Sequence, residues 1–186
     1  PKRHKTKFLA LRYGNVLGSN GSVIPKFVDQ IKLGKKITIT DPEMTRFSIT
    51  MDDALDFILD STKIGEGSEI FIPKLRTYSI MDVKDVLFEL IDNVEEEYVG
   101  IRPGEKLHEI LINLDEMRYT FELDNKYVIH KSSKIENNDI EKNEKMKKVD
   151  GSQPYSSDLT EKIPKNELKI ILKNFLTNYK EQDLKK

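Results

Sequence analysis

Cysteine and tryptophan are both absent from this chain, aromatic residues are sparse at 8%, and neither sign of charge prevails. Without cysteine there is no disulfide framework and no thiolate for catalysis or metal binding, which is compatible with a cytoplasmic setting. The 31 lysines and arginines are balanced by 32 aspartates and glutamates, leaving a formal net charge of −1. No long-range field therefore recruits nucleic acid or an anionic membrane, and an anionic ligand must be held by local cations. Apolar runs stop at four or five residues, and the first residues, Pro1-Lys-Arg-His-Lys-Thr-Lys7, lack the charged-then-apolar pattern of a secretion signal. The expectation is a soluble, unexported protein.

With 186 residues the chain can bury one good core and a smaller lobe. It opens on a proline and a basic run, and Phe8 to Arg12 then reads at once as a buried strand, so the chain is expected to be the later part of something longer. The basic run reads as a solvated linker rather than a nucleic-acid arm. A glycine-rich loop from Gly14 to Gly21 precedes Ile24, Phe27, Val28 and Ile31 at helical spacing, giving a strand, loop, helix unit. Ile37 to Thr40 reads as a short strand closed by Asp41-Pro42.

Thr50-x-x-Asp53 and Ser79-x-x-Asp82 are capping boxes. The first opens a helix with apolar Ala54, Leu55, Ile58 and Leu59, the second a helix with Val83, Val86, Leu87, Leu90 and Ile91. Glu69 to Ile72 is a compact strand between them, the order of an α/β layer fold. Tyr98 to Ile101 and Tyr127 to His130 read as further strands, and a last helix carries Leu168, Ile171, Leu172, Phe175, Leu176 and Tyr179 on one face. Composition divides the chain into 1–130, a charged mobile insertion at 131–150, and 151–186, with a fraying C-terminal lysine pair.

Arg102-Pro-Gly-Glu-Lys-Leu-His-Glu109 places a cation, a tight turn and a carboxylate before what reads as an apolar-periodic helix. Arg102 offers paired planar donors to a phosphate, and Glu105 offers acceptors to vicinal hydroxyls. Pro103-Gly104 would turn both side chains toward one cleft. The loop Gly14-x-x-x-Gly18-x-x-Gly21 lacks the dinucleotide fingerprint spacing, so it fits backbone contacts to some other phosphate. Tyr127 and Lys131 match a Tyr-x-x-x-Lys pair, but on a strand they would stand roughly 13 Å apart. His108 has no second ligand at a metal spacing and reads as structural. Asp53 is explained by its cap and Asp52 by a solvated face. A binding set remains: Asn15, Ser22, Val23, Thr40, Arg46, Arg102 and Glu105. Two arginines match two phosphate charges, so the expected ligand is a nucleoside diphosphate, with no catalytic or metal-ligating group identified.

Several stretches then occur in one order: Arg12-Tyr-Gly-Asn-Val16, Gly21-Ser-Val-Ile-Pro25, Ile39-Thr-Asp41, Met44-Thr-Arg-Phe47, Glu69-Ile-Phe-Ile-Pro73 and Ile101 to Glu109. Together these resemble the second half of the inverting UDP-N-acetylglucosamine 4,6-dehydratases, in the extended short-chain dehydrogenase/reductase superfamily. The likeness is dense from about Phe8 to Ile112, and Tyr155-Ser-Ser157 fits it too. It implies the C-terminal part of a Rossmann-like fold with a smaller α/β substrate-binding lobe.

The resemblance also implies roles. Asn15 would contact the sugar nucleotide, Val16 would lie beside the nicotinamide end of NADP, and Val23 and Thr40 would line the nucleotide pocket. Arg46 and Arg102 would hold the diphosphate and Glu105 the ribose, with Tyr155 approaching the substrate. The family usually has Arg where Asn20 stands. Its cofactor turn, Tyr-x-x-x-Lys pair and acid/base pair precede the Arg-Tyr-Gly-Asn segment and have no match here. The chain is thus expected to grip UDP-N-acetylglucosamine, to be inactive and poorly soluble alone, and to belong to a homo-oligomeric enzyme when full length. A UDP-sugar 4-epimerase fragment and a non-catalytic UDP-sugar-binding remnant are the alternatives.

Overall fold

The computed structural model describes residues 6–130 and 146–183. In chain order the first elements are β1 (Ala10–Leu11), β2 (Asn15–Val16), α1 (Val23–Lys32), β3 (Ile37–Ile39), β4 (Thr45–Ile49), α2 (Met51–Ile64), β5 (Ile70–Pro73), β6 (Arg76–Ser79) and α3 (Ile80–Leu90). They are followed by β7 (Glu96–Tyr98), β8 (Ile110–Ile112), α4 (Leu114–Met117), β9 (Thr120–Leu123), β10 (Lys126–Ile129), β11 (Lys147–Lys148), β12 (Tyr155–Ser156) and α5 (Lys165–Asp183). The α/β class expected from the sequence is observed, with mixed rather than purely parallel sheets. The chain forms two compact units that it enters alternately: Pro1–Gly14, Ile49–Leu75 and Ile110–Ser156 make one, and Asn15–Ser48, Arg76–Glu109 and Ser157–Lys186 the other.

The first unit is built on a sheet of order β1-β5-β10-β9-β11, in which β1 runs parallel to β5 and the remaining neighbours are antiparallel. Phe57, Phe71, Leu123 and Val128 form its buried cluster. Helix α2 starts where the Thr50 hydroxyl accepts the Asp53 N–H, so Thr50 is the N-cap as expected, while the Asp53 carboxylate accepts the Thr50 hydroxyl rather than closing the box on the Thr50 N–H. Its buried face is Ala54, Phe57 and Ser61, while Leu55 and Leu59 are 51% and 57% exposed. The expected apolar face was therefore rotated, because helical spacing alone does not say which of two apolar stripes meets the sheet. Strand β1 is shorter than Phe8 to Arg12, and Phe8 is 78% exposed. Residues 131–145 of the expected insertion, with Lys131, lie outside the described residues, as does the final lysine pair. Just after them Lys147 and Lys148 pair with β9, and Met146 packs on the core, so this end of the stretch is ordered.

In the second unit α1, α3 and α5 contribute Ile24, Phe27, Val28, Val83, Val86, Leu87, Leu168 and Leu172 to one buried cluster, joined by Ile37 and Ile39 of β3. Two small sheets carry the polar groups: β2-β4-β6, and the parallel pair β3-β7. The Ser79 hydroxyl accepts the Asp82 N–H and so caps α3 as expected. The strand expected at Tyr98 to Ile101 lies earlier, at β7, where Ile37 to Ile39 pair with Glu96 to Tyr98. The helix expected directly after the Arg102 turn is not there: residues 102–109 are non-helical and lead into β8. The Leu107 carbonyl instead accepts from the Thr45 N–H at 3.2 Å and the Arg46 guanidinium at 3.0 Å, while the Glu109 carbonyl accepts the Ser157 N–H and the Glu109 N–H donates to the Ser157 hydroxyl. Partners distant in the same chain thus take the groups that an intrahelical ladder would need.

Gly18, at φ +71°, is fixed by packing as well as by backbone: a Cβ there would stand 2.3 Å from Cε2 of Phe175 on α5.

Candidate functional site

A cavity of about 230 Å³ opens in the second unit, lined by residues of the loop 15–23, α1, β3, β4, β6 and the Arg102 turn. All seven residues of the expected binding set reach it: Asn15, Ser22, Val23, Thr40, Arg46, Arg102 and Glu105. Val16, next to Asn15 on β2, is half-buried and does not line it. The volume lies below the roughly 300–1,000 Å³ typical of clefts that bury a whole small ligand, so it has room for only part of one.

The turn is the one the Pro-Gly pair encodes. Gly104 sits at φ +84° and the Glu105 N–H donates to the Arg102 carbonyl at 2.9 Å, the features of a type II turn with proline at its first corner. The Glu105 carboxylate accepts the Arg102 N–H at 3.3 Å and the Thr40 hydroxyl at 3.4 Å. One oxygen of Glu105 is thereby tethered to the turn and the other to the end of β3.

Arg46 is fixed differently. It donates to the carbonyls of Thr45 (2.7 Å) and Leu107 (3.0 Å) and to the Met44 sulfur (2.9 Å), and its Nε lies 3.8 Å from Oε1 of Glu109. The other oxygen of Glu109 accepts the Phe47 N–H at 2.9 Å. Tyr78 lies directly across the ladder from Arg46 and lines the same cavity as Asn15, and burial pushes its phenol up to about 12.

Two groups at this cavity were not foreseen. Lys26 on α1 and Tyr78 on β6 carry no signal in the sequence that ties them to a ligand; only the fold brings them to the lining. Burial, and then the charge of Arg102, hold the Lys26 ammonium below the usual lysine value, against the opposing effect of Glu105. Lys26, Arg46 and Arg102 face a single lining carboxylate, Glu105, so the cavity is cationic.

His108 does not line it. Its Nδ1 is 2.8 Å from the Thr45 hydroxyl, which is 2.7 Å from the Ser157 hydroxyl, so it is the structural histidine expected. Tyr155, in the other unit, accepts the Leu75 N–H at 2.6 Å and donates to the Leu75 carbonyl at 3.1 Å. The Tyr155 hydroxyl is thus engaged by the Leu75 backbone within its own unit. Among the described residues no cluster of His, Asp or Glu could hold a metal ion.

The family model for polysaccharide biosynthesis proteins matches residues 1–131. The chain belongs to that family. The UDP-N-acetylglucosamine 4,6-dehydratase (inverting) of Campylobacter jejuni is 43% identical over 160 residues, 83% of this chain and 47% of that protein. A UDP-glucose 4-epimerase of Rickettsia bellii is 35% identical over 184 residues, 98% of this chain and 53% of the relative. The X-ray structure of Pen from Bacillus thuringiensis is 36% identical, with a TM-score of 0.79, and covers 92% of this chain and 50% of that one. The chain spans about half the length of the curated relatives it matches.

Proposed function

We propose that this cavity binds the nucleoside-diphosphate portion of UDP-N-acetylglucosamine, and that the chain is the substrate-binding half of a C5-inverting UDP-N-acetylglucosamine 4,6-dehydratase serving surface-glycan synthesis. The observation that carries this reading is the convergence on one cationic cavity of residues far apart in the chain, from Asn15 to Glu105. The name of the Campylobacter relative supplies the reaction, and that of the family its biosynthetic setting.

In this reading Arg102 contacts the diphosphate and Glu105 accepts from the ribose hydroxyls, prearranged by Gly104 and Thr40. Arg46, already held by two carbonyls and Glu109, contributes a fixed donor rather than a mobile counter-ion. Asn15, which lines the cavity with Tyr78, meets the sugar nucleotide; Ser22, Val23 and Thr40 close the pocket. The cofactor is NADP, which supplies hydride transfer. Val16 is an apolar neighbour of Asn15 that suits contact with its nicotinamide end, and the remaining cofactor contacts fall to residues outside this chain. Tyr78 stays protonated at neutral pH, so it donates or accepts a hydrogen bond and does not serve as a base. This half holds the sugar nucleotide and has no assigned proton-transfer group, and the reaction is cytoplasmic, in a homo-oligomer when the enzyme is full length.

Calorimetric titration of UDP-N-acetylglucosamine into the chain tests the binding: heat with the wild type that is lost in Arg102→Ala is expected, and no heat with the wild type defeats the proposal. The near-complete coverage of this chain by the Rickettsia epimerase keeps a UDP-sugar 4-epimerase as a second reading. Product analysis of the full-length protein separates the two, a 4-keto-6-deoxy sugar for the dehydratase and a 4-epimer for its rival.

A further inference from the structure

The cations at the cavity are not equivalent. Arg46 has its charge balanced by Glu109 and its donors engaged. Lys26 and Arg102 have no carboxylate in ion-pair contact among the described residues, although elsewhere in the same unit Lys84 pairs with Glu96 and Lys165 with Glu89. Two unpaired cations beside one small cavity repel each other, and the arrangement is relieved when an anion lies between them.

The start of α1 points the same way. Lys26 stands in its first turn, no acidic residue does, and the Ser22 side chain makes no cap bond. The Ser22 hydroxyl, which also lines the cavity, is buried with no hydrogen-bond partner among the described residues. The first intrahelical bond, from Lys26 N–H to the Ser22 carbonyl, is long at 3.4 Å. An unsatisfied hydroxyl, a helix start without a side-chain cap and an ammonium without an ion-pair partner among the described residues thus line the same cavity as the Arg102 turn.

We propose that Lys26 is a phosphate-binding and specificity-determining residue, which with Arg102 and the Ser22 end of α1 forms the anion clamp of the cavity and selects a nucleoside diphosphate over less charged nucleotides. This rests on the UDP reading above and adds a cation to it: Lys26 joins Arg102, neither having an ion-pair partner among the described residues, beside the fixed donor of Arg46. The coupling of Lys26 to Arg102 and Glu105 is consistent with that placement.

The test titrates UDP, UMP and uridine into the chain and into Lys26→Met, Lys26→Arg and Arg102→Met, with thermal melts to confirm that each variant folds. Lys26→Met is expected to weaken UDP about tenfold to a hundredfold, to weaken UMP less and to leave uridine unchanged, as loss of a charge-assisted bond requires. Lys26→Arg should restore most of the UDP affinity. Unchanged UDP affinity in Lys26→Met, or an equal loss for UDP and uridine, overturns the assignment while the nucleotide reading stands. A wild type that binds uridine as tightly as UDP removes the clamp alone. A wild type that binds neither removes the nucleotide reading and this inference with it.

Discussion

Arg102 and Glu105 are tied to each other twice: the Glu105 N–H donates to the Arg102 carbonyl at 2.9 Å, and the Glu105 carboxylate accepts the Arg102 N–H at 3.3 Å. The turn between them depends on Gly104 at φ +84°, where a Cβ would meet no atom within 4 Å. Gly104→Ala therefore carries a backbone cost only, about 1–2 kcal/mol by denaturant unfolding. The larger effect is expected on ligand binding, because relaxing the turn separates the cation from the carboxylate. Calorimetry with UDP should show at least a tenfold loss, about 1.4 kcal/mol; wild-type affinity in a folded variant would mean that the double tie is dispensable.

Gly18 presents the opposite case. Its φ of +71° is accompanied by a Cβ position 2.3 Å from Phe175, so Gly18→Ala adds a clash to backbone strain. A loss of about 2–5 kcal/mol is expected from the two together. In a double-mutant cycle with Phe175→Ala the losses should be less than additive, since the smaller side chain removes the clash and leaves the strain. Strict additivity would show that the ring moves aside at no cost.

Much of this architecture was legible in the sequence where it is local. Thr50 and Ser79 announce their helices because a hydroxyl three residues before a carboxylate has one efficient partner, the exposed N–H at a helix start. Pro103-Gly104 announces its turn because few residue pairs satisfy a type II geometry. Strands β6 and β9 were not foreseen, since Arg76-Thr-Tyr-Ser79 and Thr120-Phe-Glu-Leu123 become strands by pairing with β4 and β10, which neither segment encodes alone. Lys26 and Tyr78 escaped for the same reason. Their roles depend on which face of α1 and which rung of β6 the fold turns toward Arg102 and Asn15.

Stability should fall in acid through carboxylates held below their usual range by paired cations. Glu116 is the best buried example: bonds from Arg12 at 2.8 and 2.9 Å lower it first, burial opposes them, and the Asn113 N–H lowers it again. Because its folded value lies below the unfolded one, its contribution is complete above the ordinary carboxylate value and is lost as pH falls through the lowered one. Melts from pH 7 to pH 3 should show the midpoint dropping mainly below about pH 4.5. Glu116→Gln should lower stability at pH 7 and flatten that acid limb. An acid limb as steep in the variant as in the wild type would assign the effect to other groups.

Tyr155 separates a structural role from a substrate role. Its hydroxyl accepts the Leu75 N–H at 2.6 Å, and its ring meets Tyr127 edge-on with centroids 5.1 Å apart. Tyr155→Phe keeps the ring and leaves a half-buried N–H without its acceptor, a loss of about 1–3 kcal/mol by the usual cost of an orphaned donor. The phenol, pushed up to about 12 by burial, is neutral throughout the physiological range, so no pH-dependent component of this loss is expected between pH 6 and pH 9. Binding of UDP-N-acetylglucosamine should be unchanged in the folded variant, because the residues that line the cavity do not include Tyr155. A tenfold fall in that affinity at unaltered stability would instead return Tyr155 to the substrate and show that its bond to Leu75 gives way when the sugar is bound.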